Sequence, residues 1–381
     1  MQELRRPLKM QLPETIHRLS EAFTAAGYQL FVVGGAVRDA VLGIEPKDFD
    51  LATNATPDQV TKVILSMLPQ WTADLTGEAF GVVRARTKEY WDQVGPELKS
   101  LCEHEIATFR EDLTAGRHPE VRFTTIKEDV QRRDLTINAL FYDIQREEVV
   151  DLVGGLWDLE DGLIRMVGRP ADRLAEDRLR ILRAIRFSTR FGFMLAEETE
   201  RAILTDNSLA GISPERIRDE FVRSLHFAQD IRVLLNLYDY FNMWPQVLPG
   251  LEVDTEGVNE RWFPHLMALL LDSNDHDLVA RQLNKLRYAE AEPRAVSFLL
   301  RYRYMGPSDA YKMRRQFQVS KLAQSDLIDY AFLRTLPEMP LARAFASYTL
   351  ADPIKGDDLL AEGYSGRALG YGTGMAGARI V

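Results

Sequence analysis

An apolar run, Leu30 to Val33, ends abruptly at paired glycines and then turns charged: "LFVVGGAVRDAVLGIEPKDFDLAT" carries Gly34, Gly35, Arg38 and Asp39, followed by two aspartates one residue apart, Asp48 and Asp50. A buried strand does not need that much charge at its exit. In a strand successive side chains alternate faces, so Asp48 and Asp50 are expected on one side and Phe49 on the other, toward a core. Two like charges a few ångströms apart repel, and a cation between them relieves the repulsion. The expected ion is magnesium, which takes carboxylates together with phosphate oxygens. Gly34 and Gly35 let the backbone come close to a ligand and offer N–H groups to an anion, as a triphosphate beside that metal requires. A glycine pair alone also closes ordinary turns. The order Gly-Gly, Arg-Asp, then Asp-x-Asp on the next strand is far more specific.

The chain of 381 residues exceeds one minimal core and suggests two or three domains. With 46% hydrophobic and 27% charged residues it has the balance of a soluble globular protein. No apolar run approaches the roughly 20 residues of a bilayer span, so no membrane partner is expected. The start, "MQELRRPLKMQLPETIHRL", lacks a secretory core and reads as the beginning of a helix in a cytoplasmic protein. A single cysteine, Cys102, excludes an internal disulfide, and six scattered histidines give no zinc spacing. The net charge of -10 argues against nucleic-acid binding over the whole surface. A basic patch would have to be local.

Periodicity predicts a helix over 14–26, a buried strand in "YQLFVVGG", one or two helical turns in "VRDAVLGI", a strand in "DFDLAT" and a helix in "TPDQVTKVILSML", opened by a Thr cap and Pro57. "GVVRAR", "HEIATFR", "EVRFTT" and "VVDLVGG" supply further strands. From "RLAEDRLRILRAIRF" onward the apolar period is helical, broken at "GISPERI", "WPQVLPGLEVDTEG", "MGPSD" and "TLPEMP". The fold class is therefore α+β: a mixed sheet with helices, followed by an all-α region, with boundaries near 170 and 250.

A two-metal site wants a third carboxylate on a neighbouring strand. In "EHEIATFR" both Glu103 and Glu105 fall on one face, and composition does not choose between them. "QRRDLTINAL" crowds Arg132, Arg133, Asp134 and Asn138 into one turn and a half, which could equally be a capped, solvated helix start. In "LAEDRLRILRAIRF", Asp177 and Arg180 are three apart on one helix face. As a surface ion pair they would contribute under about 1 kcal/mol; as a unit they offer an acceptor and several donors to the edge of a base.

These pieces, in this order, resemble the class II tRNA nucleotidyltransferases and the bacterial poly(A) polymerases, one superfamily of polymerase-β-like nucleotidyltransferases. The resemblance runs through "GGAVRDAVLG", "KDFDLAT", "RRDLTINAL", "DLVGGLWDLEDGLIRMVG", "EDRLRILRAIRF" and "SPERIRDEF", and more loosely through the tail "GDDLLAEGYSGRALG". It implies a catalytic head over 1–168, a nucleotide-selecting helical neck over 169–250, and a helical body and tail for tRNA over 251–381. It makes Asp48 and Asp50 magnesium ligands of a two-metal site and Glu105 the third carboxylate. It sets Gly34, Gly35 and Arg38 against the triphosphate. Arg133, Asp134 and Asn138 would hold the nucleotide's sugar and phosphates; Asp177 and Arg180, with Arg183 in the same nucleotide-binding set, would select CTP or ATP without a template.

Two departures from the family stand out. "TKEYWDQVGPELKSLCE", within 87–103, is an extra segment, and Ala115 stands before Gly116-Arg117 where a flexible loop often has an aspartate. Between residues 280 and 321 ten basic side chains face three acidic ones, with tyrosines interleaved. Such a cluster is commonly a solvated face, but beside the catalytic motifs it points to the tRNA acceptor arm, with Arg301, Arg303, Lys312, Arg314 and Arg315 as candidate RNA contacts. No obligate protein partner is evident. The expected activity is CCA addition. The alternatives are CC-only or A-only addition, poly(A) synthesis and, from a different class, an RNA- or nucleotide-binding protein without catalysis.

Overall fold

The computed structural model describes residues 3–77, 81–88, 102–114 and 120–302, together with Ser320 and Leu322. The chain divides into two compact units, Met1–Gly211 and Ile212–Val381. The dividing point falls inside the 169–250 segment.

The first unit is built on a sheet. Its strands are β1 (Leu4–Pro7), β2 (Leu30–Val33), β3 (Asp50–Thr53), β4 (Trp71–Gly77), β5 (Val82–Thr87), β6 (Glu103–Thr108), β9 (Phe141–Asp143) and β10 (Glu148–Asp151), in the order β1-β10-β9-β2-β3-β6-β5-β4. Every pairing is antiparallel except β3 with β6. A separate short hairpin joins β7 (Arg110–Asp112) to β8 (Val121–Phe123). Helices α1 (Glu14–Ala25), α2 (Gly35–Val41), α3 (Pro57–Met67), α4 (Ile126–Gln131) and α5 (Gly155–Asp161) intervene in the chain.

Several local signals act as expected. Thr56 and Gln59 form a reciprocal capping box with Pro57 in the first turn, and α3 then buries Val60, Val63 and Ile64. The opening residues are a correction: Leu4–Pro7 is an edge strand against β10, and the helix begins only at Glu14. Proline explains the change, since Pro7 suits a sheet edge, where no ladder donor is missed, and Pro13 stands just before the first helical turn. In "VVDLVGG", the buried Asp151 carboxylate accepts the N–H groups of Val153, Gly154 and Leu156, each at 2.9 Å. Gly155 follows because a Cβ there would lie 2.2 Å from the Thr136 carbonyl oxygen.

The core under the site gathers Phe31, Val33, Ala52, Phe109, Phe141, Val150 and Val167. The rings of Phe31, Phe109 and Phe141 meet pairwise at 6.0–6.2 Å, and burying each such side chain contributes about 1.5–3 kcal/mol. After the sheet come α6 (Pro170–Glu176), α7 (Arg180–Phe191) and α8 (Glu197–Thr205), with a two-strand pairing between β11 (Leu163–Ile164) and β12 (Met194–Leu195).

The described part of the second unit is helical: α9 (Pro214–Phe227), α10 (Ile231–Tyr240), α11 (Trp244–Val247), α12 (Phe263–Leu270), α13 (His276–Lys285) and α14 (Ala291–Tyr302). Asp230 and Asp275 cap α10 and α13 with their carboxylates. Phe221, Tyr238 and Trp244 form its aromatic centre, at 5.0–5.9 Å. No helix among the described residues is long and apolar enough to cross a membrane. The expected breaks at "MGPSD" and "TLPEMP", the tail motif, the Gly-rich end and most of the 87–103 insertion lie outside the described residues.

Candidate active site

Strand β3 starts at Asp50, so Asp48 and Phe49 precede it and the expected alternation does not extend through them. Phe49 is half-buried and lines a surface depression with Pro13, Ile44 and Pro46, not the core. Asp48 is exposed at the turn into the strand.

The register places the carboxylates together. Leu51 of β3 pairs with Ile106 of β6 in parallel, so Asp50 and Glu105, one residue earlier on each strand, stand at the same level. That separates the two glutamates that composition leaves equal. Glu103 is held by Arg86, with Nη2 at 2.7 Å and Nε at 2.8 Å. Glu105 remains 56% exposed beside Asp50, with Arg84 Nη2 at 3.4 Å.

Asp50 keeps solvent access, yet the protein around its carboxyl partly strips it of water. Burial pushes it above the usual carboxylate range, the negative charge of Glu105 raises it further, Arg133 opposes the rise, and Asp48 adds to it. Negative charge gathered beside the Asp50 carboxyl is what a divalent cation relieves, and the oxygen donors of Asp48, Asp50 and Glu105 are of the chemistry that magnesium takes. Among the described residues, the one trio of possible metal ligands gathered within 4.8 Å is Asp275, His276 and Asp277. Its closeness follows from sequence adjacency, and Asp275 is already the cap of α13, accepting from Asp277 and Leu278 N–H at 3.0 Å.

Gly34 has φ +71°, which lets the chain turn from β2 directly into α2, and its N–H is taken by the Leu140 carbonyl at 3.0 Å. Gly35 opens the helix, whose first-turn amides have no partner within the helix itself. Beside this turn lies a continuous polar network drawn from motifs far apart in sequence. Arg38, only 3% exposed, bonds to Asp39 (2.8 Å) and to the Asn138 side-chain oxygen. The Asn138 amide reaches Asp134 at 3.4 Å, and Asp134 accepts from Arg183 at 2.7 Å and 2.5 Å. Burial works to raise the Asp134 carboxyl, and the Arg183 guanidinium outweighs it, leaving the acid below its usual range. The Arg38 guanidinium also lies over the rings of Phe187 and Phe191, at 5.2 and 4.9 Å.

Arg133 has a deeper anchor. Its guanidinium covers the Phe141 ring at 4.7 Å and bonds to Asp129, which is 1% exposed and also bound by Arg132 and the Arg110 N–H. The sequence "IKEDVQRRD" gives no sign of this, because Asp129 reads as one more acid on a short helix. It becomes central only when two arginines fold back over it.

Asp177 and Arg180 differ from the expected helical pair. Asp177 ends α6 in an extended conformation, and its carboxylate accepts the Leu179 N–H at 3.1 Å. Helix α7 begins at Arg180, whose guanidinium binds Glu176 (2.6 Å) and the carbonyls of Arg173 and Arg132, both at 2.9 Å. The two residues therefore flank a helix start instead of sharing a helix face, and Arg180 is engaged with the head's Arg132 carbonyl. Of the candidate RNA contacts, Arg301 is exposed near the end of α14, while Arg303, Lys312, Arg314 and Arg315 lie outside the described residues, as do Ala115, Gly116 and Arg117.

Known proteins resemble this chain in sequence and fold. The poly A polymerase head domain matches residues 30–165. A CCA-adding enzyme from Bacillus pumilus is 41% identical over 63% of this chain and 56% of its own length. Poly(A) polymerase I from Salmonella typhi is 35% identical over 61% of this chain and 48% of its own length. The chain thus spans about half the length of the curated relatives it matches. Among solved structures, the CCA-adding enzyme of Bacillus stearothermophilus in complex with CTP superposes with a TM-score of 0.68 at 25% identity, covering 96% of this chain and 92% of that one. Over residues 30–165 the chain matches the poly A polymerase head domain, and it is similar to both CCA-adding enzymes and bacterial poly(A) polymerases.

Proposed function

We propose that this protein adds CCA to the 3′ end of tRNA from CTP and ATP, without a template. The reading rests above all on one observation: Asp50 and Glu105 stand level on adjacent parallel strands, with Asp48 beside them, next to a glycine turn at a helix start. In the reaction the RNA 3′ hydroxyl attacks the α-phosphorus in line and pyrophosphate leaves. Magnesium held by Asp48, Asp50 and Glu105 would lower the pKa of that hydroxyl and neutralise charge on the leaving oxygens.

The remaining work belongs to the chain's own groups. The turn at Gly34 aims the first-turn amides of α2 at phosphate oxygens, and Arg133, anchored on Asp129, supplies positive charge near Asp50. Asn138 and Asp134 present an amide and a carboxylate for the sugar hydroxyls, kept in place by Arg38 and Arg183. Asp177 and Arg180 would read the base, which requires Arg180 to exchange its present partners for base acceptors. The greater identity to the Bacillus pumilus enzyme and the tail "GDDLLAEGYSG" support CCA addition over poly(A) synthesis.

The test uses purified protein and magnesium with three tRNA transcripts, ending before CCA, after C and after CC, given CTP, ATP or both. Addition of C, C and A followed by a stop is the expected result. Stopping at CC would make it a CC-adding enzyme and implicate the loop around Ala115; extension only of the CC-ended transcript would make it an A-adding one. Long A tails would make it a poly(A) polymerase, and no incorporation would overturn the catalytic reading.

A further inference from the structure

Glu103 and Glu105 share one face of β6, and the neighbouring strand sets an arginine opposite each: Arg86 pairs in register with Glu103 and Arg84 with Glu105. The two pairs are not equivalent. Arg86 grips one Glu103 oxygen with two nitrogens, at 2.8 and 2.7 Å, contacts of ordinary length. Arg84 reaches Glu105 with Nη2 alone at 3.4 Å, while its Nε stands 3.4 Å from a Glu103 oxygen. It is shared between two carboxylates and held at full strength by neither. Glu105 is more than half exposed, so it can turn to another cation without leaving a buried charge behind.

We propose that Arg84 is a positioning residue for the third carboxylate: in the metal-free protein it steadies the Glu105 side chain at the place beside Asp50 that the strand register gives it, and it yields that carboxylate when a divalent cation enters. The inference rests on the reading of Asp48, Asp50 and Glu105 as the metal carboxylates. The physical consequence has two opposed parts. A positive charge 3.4 Å from a ligand oxygen competes with the incoming ion, so Arg84 weakens metal binding. The same contact restricts the rotamers of an exposed glutamate, so the carboxylate waits in the working position and less order is lost when the site closes. The planar fork matters here, because a guanidinium spans two carboxylates where an ammonium serves as a point charge.

The experiment titrates Mn2+ alone into the full chain and reads free Mn2+ by its EPR signal, for the wild type and for R84M, R84K, E105Q and R84M/E105Q. R84M should bind Mn2+ about threefold to tenfold more tightly than the wild type. R84K should return affinity toward the wild-type value, and R84M should change nothing once Glu105 is glutamine. At saturating Mn2+, nucleotide incorporation by R84M should fall while KM for CTP holds, since the metal is present but Glu105 has lost its hold. Unchanged or weaker Mn2+ binding by R84M would overturn the inference and leave the metal reading intact. So would equal tightening in the E105Q background, which would reduce Arg84 to general surface charge. If the wild type binds Mn2+ no better than D48N/D50N, the metal reading itself fails. Arg84→Gln, with its unfolding midpoint measured alongside, carries the same titration should R84M not fold.

Discussion

The two halves of the candidate site handle charge in opposite ways. Where β3 begins beside β6, burial pushes the Asp50 carboxyl upward, the negative charges of Glu105 and Asp48 add to the rise, and Arg133 opposes it. In the network beside the glycine turn, Arg38, Asn138, Asp134 and Arg183 form an alternating run in which each charge has an opposite or polar partner. The first arrangement stores repulsion that a cation would release; the second is already balanced and needs no ligand to stay in place. A site that binds a metal–triphosphate complex has use for both, an anionic socket for the metal and a rigid polar wall for the sugar.

Asp50→Asn gives the largest effect and tests the frustrated side. Nucleotide incorporation should fall by more than about 10³-fold, since metal-held charge stabilisation supplies several kcal/mol. The fold should not suffer. In EDTA, the amide replaces a charge whose folded pKa is raised, so the penalty carried by ionised Asp50 at neutral pH disappears and the unfolding midpoint should move up. The wild type loses that penalty anyway as pH falls through the raised value, so the two proteins should converge in acid. A neutral-pH midpoint that drops would show that Asp50 is a stabilising residue and break the contrast.

Asp129 tests the balanced side with the opposite sign. Burial works to raise its carboxyl, and the guanidinium groups of Arg133 and Arg132 outweigh it, so the folded value is depressed. Its stabilisation is present above the unfolded value near 3.9 and lost as pH falls through the lower folded value. Asp129→Asn should cost about 3 kcal/mol in urea unfolding at pH 7, the low end for breaking a buried pair because both arginines keep some solvent. The loss should shrink in acid. A change below about 1 kcal/mol would mean that Arg133 is held by the Phe141 ring instead.

How much of this was open to the sequence depends on how local each cause is. The strand ending at Gly34-Gly35, the Thr56 cap before Pro57 and the aspartates at the β3 entry are read from neighbours a few residues away. The residues alone do not choose Glu105 over Glu103; the resemblance does, and the parallel pairing of β3 with β6 that sets Glu105 level with Asp50 is a fact that no window of sequence contains. Asp129 is hidden for the same reason: its helix is short and polar, and only the fold brings the Arg110 amide to it. Leu4–Pro7 reads as a helix start because its strand partner, β10, lies far down the chain. Asp177 and Arg180 keep the right spacing, yet the helix begins between them, since the Asp177 carboxylate takes the Leu179 amide and turns the chain.

The smallest expected effect asks how far the balanced side extends. Arg190 sits at the α7 edge of the network, 3.4 Å from Asp39 and over the Phe191 ring at 4.9 Å, with a quarter of its side chain in solvent. The ion pair is long and only part-buried, so Arg190→Ala should cost only about 0.5–1 kcal/mol in urea, and less in high salt, which screens the ion pair but not the ring contact. Arg38 shares Asp39 and Phe191 with it and is almost fully buried, so Arg38→Ala should cost several times more under the same conditions. Equal losses for the two arginines would mean that Asp39 draws its order from Arg190 as much as from Arg38. The balanced network, which already includes Arg183, would then run to the end of α7.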